Sequence, residues 1–210
     1  MSLTAKKSGG DFTPVPAGTH LAICYGLIDL GTQTETFEGK PPRQAPKIRV
    51  LWELPNERTA DGKPMTIGTF YTVSLHEKST LRKHLEAWRG RPFTDAELEG
   101  FQLVNILGKP CVLSVVHKPR KSGDGVSDSV ASVSSLMKGM TVPAQENKQL
   151  VFDLEHFDRA IYDGLPEFLK KMIAVSPEGA ACLGYKPQVG TTTAATEGGT
   201  QTSDGGFIPF

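Results

Sequence analysis

No stretch of the 210 residues stays apolar for long enough to cross a membrane; the hydrophobic runs are short and interrupted. Cysteine is scarce. Cys24, Cys111 and Cys182 are odd in number and far apart, and no pair has zinc-ligand spacing. The first residues, Met1 to Lys7, lack the apolar block of a secretory signal. The three thiols are therefore expected to be reduced and buried in a cytosolic protein. There is no Gly-Lys-Ser/Thr phosphate loop, no Ser-His-Asp or Cys-His set, and the five histidines are scattered. Asp124 to Asp128 is too short for a calcium loop. Asp153, Glu155 and Asp158 are the metal-ligand candidates a nuclease would use, but they sit in an ordinary acidic patch with no Lys or His set beside them in a nuclease pattern. The expectation is no enzyme, no metal and no cofactor.

The net charge is zero but unevenly spread. From Lys40 to Lys138 sixteen Lys and Arg face ten Asp and Glu, while the segments on either side are acidic. The positive excess falls where the strand patterns lie, which is a weak nucleic-acid signal until a fold locates the charges.

Alternation supplies that fold. Leu21, Ile23, Tyr25 and Leu27 alternate with Ala22, Cys24, Gly26 and Ile28 in a first strand buried on both faces, with Tyr25 assigned to the core. Gly26 and Gly31 permit the bend a small barrel needs. Ile48, Val50, Trp52 and Leu54 then share one face of a second strand, with Lys47, Arg49, Leu51 and Glu53 on the other. After a turn at Asp61-Gly62, a third strand runs from Thr66 to Leu75, setting Ile67, Thr69, Tyr71, Val73 and Leu75 against Gly68, Phe70, Thr72 and Ser74. Leu81, Leu85 and Trp88 change the period to that of a helix, which Gly90 stops. Thr94-Asp95-Ala96-Glu97 is a capping box for a short second helix. Strands resume at Cys111 to His117 and Ser127 to Ser135. Three strands, a helix and two strands is the order of a mainly β, five-stranded oligonucleotide/oligosaccharide-binding (OB) barrel, whose helix lies between strands three and four. The domain is expected over 15–140, after a flexible N-terminus at 1–14.

The stretch Leu81-Arg82-Lys83-His84-Leu85-Glu86-Ala87-Trp88-Arg89-Gly90-Arg91-Pro92-Phe93-Thr94, with Leu107-Gly108-Lys109-Pro110-Cys111, resembles a recurrent block in bacteriophage-encoded OB-fold single-stranded DNA-binding proteins. Ser135 to Met140 and Leu165-Pro166-Glu167-Phe168 are similar to that group as well, so the likeness covers roughly 15–180. Its residues are structural in type: Trp88, Leu81 and Gly90 would hold a helix on a barrel. The resemblance implies a non-catalytic protein that coats single-stranded DNA in replication or recombination.

In an OB barrel the ligand crosses strands two and three between two loops. The first loop carries Phe37, Lys40 and Arg43 and runs into Lys47; the other carries Lys118, Arg120 and Lys121. With Arg49 between them, these cations form the expected track for a phosphate backbone. Bases need flat partners, and Phe70, on the small polar face of strand three, is the first choice for a stacking platform, with Phe37 second. Tyr71 and Trp52 fall on apolar faces and read as core.

Residues 141–186 read as a small, largely helical appendage. Leu150 to Leu154 is a candidate edge strand, and Pro166 to Ala174 a helix with Leu169, Met172 and Ile173 on one side. Whether this section packs on the barrel or on another subunit is open. From 187 to 210 the chain is rich in Gly, Thr, Ser and Ala and is expected to be disordered. Its tip, Asp204, Phe207, Ile208, Pro209 and Phe210, reads as a hook for another protein's apolar pocket. The tip resembles the Ile-Pro-Phe ending of bacterial-type single-stranded DNA-binding proteins, although only Asp204 is acidic where that family has several acids. The alternative is that the two phenylalanines dock on the body. Two other classes stay open: a protein-protein adaptor without DNA binding, and a metal-dependent nuclease.

Overall fold

The computed structural model describes residues 13–36, 39, 41–120 and 125–184. The first alternating run forms β1 (Gly18–Glu35), a long strand that serves two neighbours. Its first part, Gly18–Ile23, ladders antiparallel with β4 (Pro110–Pro119), and Ile23–Glu35 ladders antiparallel with β2 (Arg43–Arg58). With β3 (Pro64–Thr72) outside β2 and β5 (Val126–Ser134) outside β4, the strand order is β3-β2-β1-β4-β5. A short β6 (Leu150–Phe152) adds to β1 in parallel at Gly26–Ile28. The protein is thus mainly β, an open sheet of six strands with short helices.

Two irregularities bend β1, because an unpaired extra residue sharpens the local twist. One lies between Cys24 and Gly26, the other between Asp29 and Thr32. They fall at the two glycines expected to bend the strand, and Gly31 takes the left-handed backbone, φ 66°. The first resets the alternation. Tyr25 is the extra residue opposite the Leu51–Trp52 step, so its ring leaves the core to which the alternation assigned it. It is half-buried beside Thr66 and Arg49, and burial raises the pKa of its phenol.

The main core fills the concave side of the sheet. Val50, Trp52, Leu54, Tyr71, Leu113 and Val133 pack against Leu81, Leu85 and Trp88 of α1 (Thr80–Arg89). The two indoles lie 6.2 Å apart, and Trp88 Nε1 donates to the Pro110 carbonyl at 2.7 Å, tying the helix to the start of β4. Gly90 ends α1 at φ 68° with its N–H on the Glu86 carbonyl. The capping box opens α2 (Asp95–Glu99) as its sequence requires. The two ends of the order, β3 and β5, come near each other without forming a ladder, and α1 packs against both.

The C-terminal section packs on β1. Ile28 and Leu30, on the face opposite Cys24 and Leu27, join Phe152 and Leu154 in a second core with Tyr162 of α3 (Arg159–Gly164) and Leu169 and Ile173 of α4 (Glu167–Val175). Fully burying side chains of this size stabilises by about 1.5–3 kcal/mol each. The last helix, α5 (Pro177–Cys182), starts on Ser176, whose hydroxyl accepts from the Gly179 N–H. Cys24 and Cys111 are buried free thiols, and burial raises that of Cys24 to about 12. Cys182 corrects the expectation for the third: it lies on the outside of α5 and is exposed. Among the described residues no helix is long and apolar enough to cross a membrane.

Candidate nucleic-acid interface

The outer face of β2 and β3 follows from the same alternation that builds the core. With Ile48, Val50 and Trp52 pointing inward, Lys47 and Arg49 point out, and the register sets Arg49 opposite Phe70 and Lys47 opposite Thr72. The Arg49 guanidinium carbon lies 4.7 Å from the centre of the Phe70 ring. A second ring, Phe168 at the start of α4, lies 5.0 Å from the same carbon. Both rings are open to solvent, Phe70 at 43% and Phe168 at 48%.

Arg49 has an unusual electrostatic position. Among the described residues no carboxylate forms an ion pair with it, and its buried Nε has no hydrogen-bond partner. Desolvation by its neighbours lowers its pKa, only partly offset by Tyr25 and Asp128. Two ring faces compensate in part, at about 0.5–2 kcal/mol for such a contact. What remains is a positive charge partly stripped of water and flanked by two rings.

A groove of about 460 Å³ opens beside Phe70, between the end of β3 and the start of α1. Among the described residues, Arg43, Lys47 and Lys78 line it together with one carboxylate, Glu35, which leaves two positive charges in excess. Glu35 is shared: Lys47 Nζ binds it directly and also reaches Thr72 Oγ1 at 2.7 Å, while Arg43 stands 3.8 Å from its other oxygen. Lys78, at the rim, has no ion-pair partner among the described residues.

Of the residues singled out in the sequence, the structure brings Arg43, Lys47, Arg49 and Phe70 into one continuous surface. Lys118 and Arg120 belong to the hairpin of β4 and β5 and are not among the residues lining the groove. Lys118 is exposed, and Arg120 closes the hairpin through its backbone N–H to the Gly125 carbonyl and Nε to the Val126 carbonyl at 2.9 Å. Phe37, Lys40, Lys121 and the tip residues Asp204, Phe207, Ile208, Pro209 and Phe210 lie outside the described residues.

Sequence reasoning missed Phe168, Lys78 and His76, which also lines the groove. Phe168 did leave a signal. Leu169 and Ile173 form the buried side of α4, so the aromatic one residue earlier is displaced from that side and has to lie at the helix flank.

The acidic patch at the second core is also better defined than its sequence implied. Asp153, Glu155 and His156 bring one ligand atom each within 4.8 Å of one another, and His156 Nδ1 is 2.9 Å from Asp153. A histidine therefore does stand beside the carboxylates. The hydrogen bond that its ring donates to Asp153 raises the His156 pKa, which favours an exposed ion pair. Asp158 is not part of it: its side chain caps α3 by accepting from the Ala160 and Ile161 N–H groups.

Comparison with protein-family models and with curated proteins gives no match to this chain.

Proposed function

We propose that this chain is a non-catalytic single-stranded DNA-binding protein, phage-encoded and acting in the bacterial cytoplasm during replication or recombination, whose domain is an OB barrel. The strand order, the sharing of β1 between β2 and β4, and the helix packed on both β3 and β5 support the barrel reading. The observation that carries the function is Arg49 on the outer face of β2, held against two exposed phenylalanine rings, Phe70 of β3 and Phe168 of α4, with no carboxylate partner among the described residues. Flat side chains for bases next to a positive charge for phosphates are what sequence-tolerant single-strand binding requires. The groove of Arg43, Lys47 and Lys78 extends the positive surface past Phe70. The tip, Asp204 to Phe210, would recruit replication or recombination proteins through its aromatic and aliphatic side chains.

A fluorescence titration with oligo-dT and with duplex DNA across salt concentrations tests the reading. Single strands should bind more tightly than duplex, with a log–log salt slope of about 0.7 per phosphate contact. Phe70→Ala should weaken oligo-dT binding by roughly 1–3 kcal/mol, and Phe70→Tyr should leave it nearly unchanged. Absence of binding at low salt would favour an adaptor using the same aromatic face for protein. Magnesium-dependent cleavage of the DNA, lost on replacing Asp153 or His156, would favour a nuclease.

A further inference from the structure

We infer that α4 forms part of the nucleic-acid site, so that a single strand runs from the basic groove over Phe70 and Arg49 and onto Phe168. This rests on the single-strand reading of the outer face, and it changes the path. The strand would leave β2 and β3 across the C-terminal helical section, in addition to any contact with the β4–β5 hairpin.

The surface is continuous in the order the strand would meet it. Phe70 lines the groove, its ring faces the Arg49 guanidinium, and the guanidinium faces Phe168. Two exposed rings from β3 and α4 thus flank one guanidinium from β2, so each ring can stack a base while the charge between them serves the intervening phosphate. Lys171 follows Phe168 by three residues, which puts the two on the same side of α4, and Lys171 is exposed. A cation for the next phosphate is thus present beyond the second ring. A structural role explains Phe168 poorly. The fully buried residues of α4 are Leu169 and Ile173, and Phe168, at the flank of that side, is left 48% exposed, with Arg49 as its ring partner among the described residues. The helix is held firmly enough to present a ring, because its buried side is anchored on Ile28 and Leu30 of β1.

The test uses the full chain and an oligo-dT carrying photoreactive 5-iodouracil at successive positions. Irradiation followed by peptide mapping should give cross-links at Phe70 and at Phe168, from different positions along the same oligonucleotide. Phe168→Ala should weaken oligo-dT binding roughly 5- to 150-fold, and Phe168→Trp should restore it. Cross-links at Phe70 with none on α4, together with wild-type affinity of Phe168→Ala, would overturn the inference while leaving the outer face as the binding site. Wild-type oligo-dT affinity after replacing both rings, with the wild-type cross-links falling elsewhere in the chain, would remove the outer-face reading itself.

Discussion

Gly68 leaves room for Arg49. A Cβ at Gly68 would stand 2.6 Å from Arg49 Nε, 2.9 Å from its Nη2 and 2.7 Å from a Leu51 methyl. The glycine has ordinary strand geometry, so what it supplies is space on the outer face, where the guanidinium lies across it on the way to the two rings. Arginine is the mobile partner in this contact. Gly68→Ala should therefore displace Arg49 from Phe70 and Phe168 at little cost in stability, since alanine suits a strand at least as well as glycine. Oligo-dT affinity should fall toward that of Arg49→Ala, with a melting temperature close to wild type. Unchanged affinity would mean that the position of the guanidinium is irrelevant to binding.

Glu97 gathers most of the hydrogen bonds in the turn between α1 and α2, with Glu86 accepting from the Phe93 N–H. Glu97 accepts from Arg91 through both oxygens, at 2.8 and 2.9 Å, from the Thr94 N–H at 3.0 Å and from Arg89. Arg91 first, and then the Thr94 backbone, hold the pKa of Glu97 down to about 2. A carboxylate whose folded pKa is depressed adds stability above its unfolded value, and that stability is lost as pH falls through the folded value. Glu97→Gln should accordingly lower the melting temperature at pH 7. The deficit should shrink below about pH 4 and vanish only once the pH is below the folded value of about 2, where the wild-type carboxyl is protonated. Thermal melts of both proteins across that range check it; a deficit independent of pH would show that shape, not charge, makes the contact.

Much of this molecule is legible in local pattern. Ile48, Val50, Trp52 and Leu54 alternate, Leu81, Leu85 and Trp88 recur with helical spacing, and the Thr94 capping box and Gly90 need only their immediate neighbours; all of them form as written. Phe70 is outward for the same reason. Tyr25 was misplaced because a bulge adds one residue and exchanges the faces beyond it, a shift that composition does not encode. The pairing of Arg49 with Phe168 joins segments far apart in sequence, which no local period can reveal. Cys182 read as buried by residue type, yet α5 turns that position outward and keeps Gly179 and Ala180 inside. Lys47 reads from the sequence as one cation of the phosphate track, and the fold pairs it with Glu35, twelve residues earlier on the neighbouring strand.

The tip, outside the described residues, is expected to act separately from the DNA site. Removing residues 204–210 should leave the melting temperature unchanged. It should leave oligo-dT affinity unchanged or slightly raised, because Asp204 would no longer compete for cations. Pull-downs from bacterial lysate should lose specific replication or recombination proteins, and Phe210→Ala alone should remove most of that capture, since a buried aromatic anchor dominates a small interface. A marked fall in melting temperature would place the two phenylalanines in the fold instead.

Glu53 links the sheet to the section that carries Phe168. Its carboxylate is fully buried on β2 and accepts from the Glu146 N–H at 2.9 Å, the Asn147 N–H at 2.7 Å and Asn147 Nδ2 at 2.7 Å. These donors lie in the loop between β5 and β6, so one side chain fixes the path by which the chain returns to β1. Alanine at 53 would leave two backbone N–H groups and an amide without acceptors, at roughly 1–3 kcal/mol for each that stays buried. Glutamine retains one acceptor oxygen but turns an NH₂ toward a donor, so it can satisfy only part of the set. Glu53→Ala should destabilise by about 2–4 kcal/mol in urea unfolding, with Glu53→Gln intermediate. Amide exchange at Glu146 and Asn147 should accelerate in both variants, ahead of exchange in the β1–β2 ladder, because the loop would detach before the sheet opens. Uniform acceleration across the domain would show that Glu53 supports the sheet as a whole and does not pin the loop.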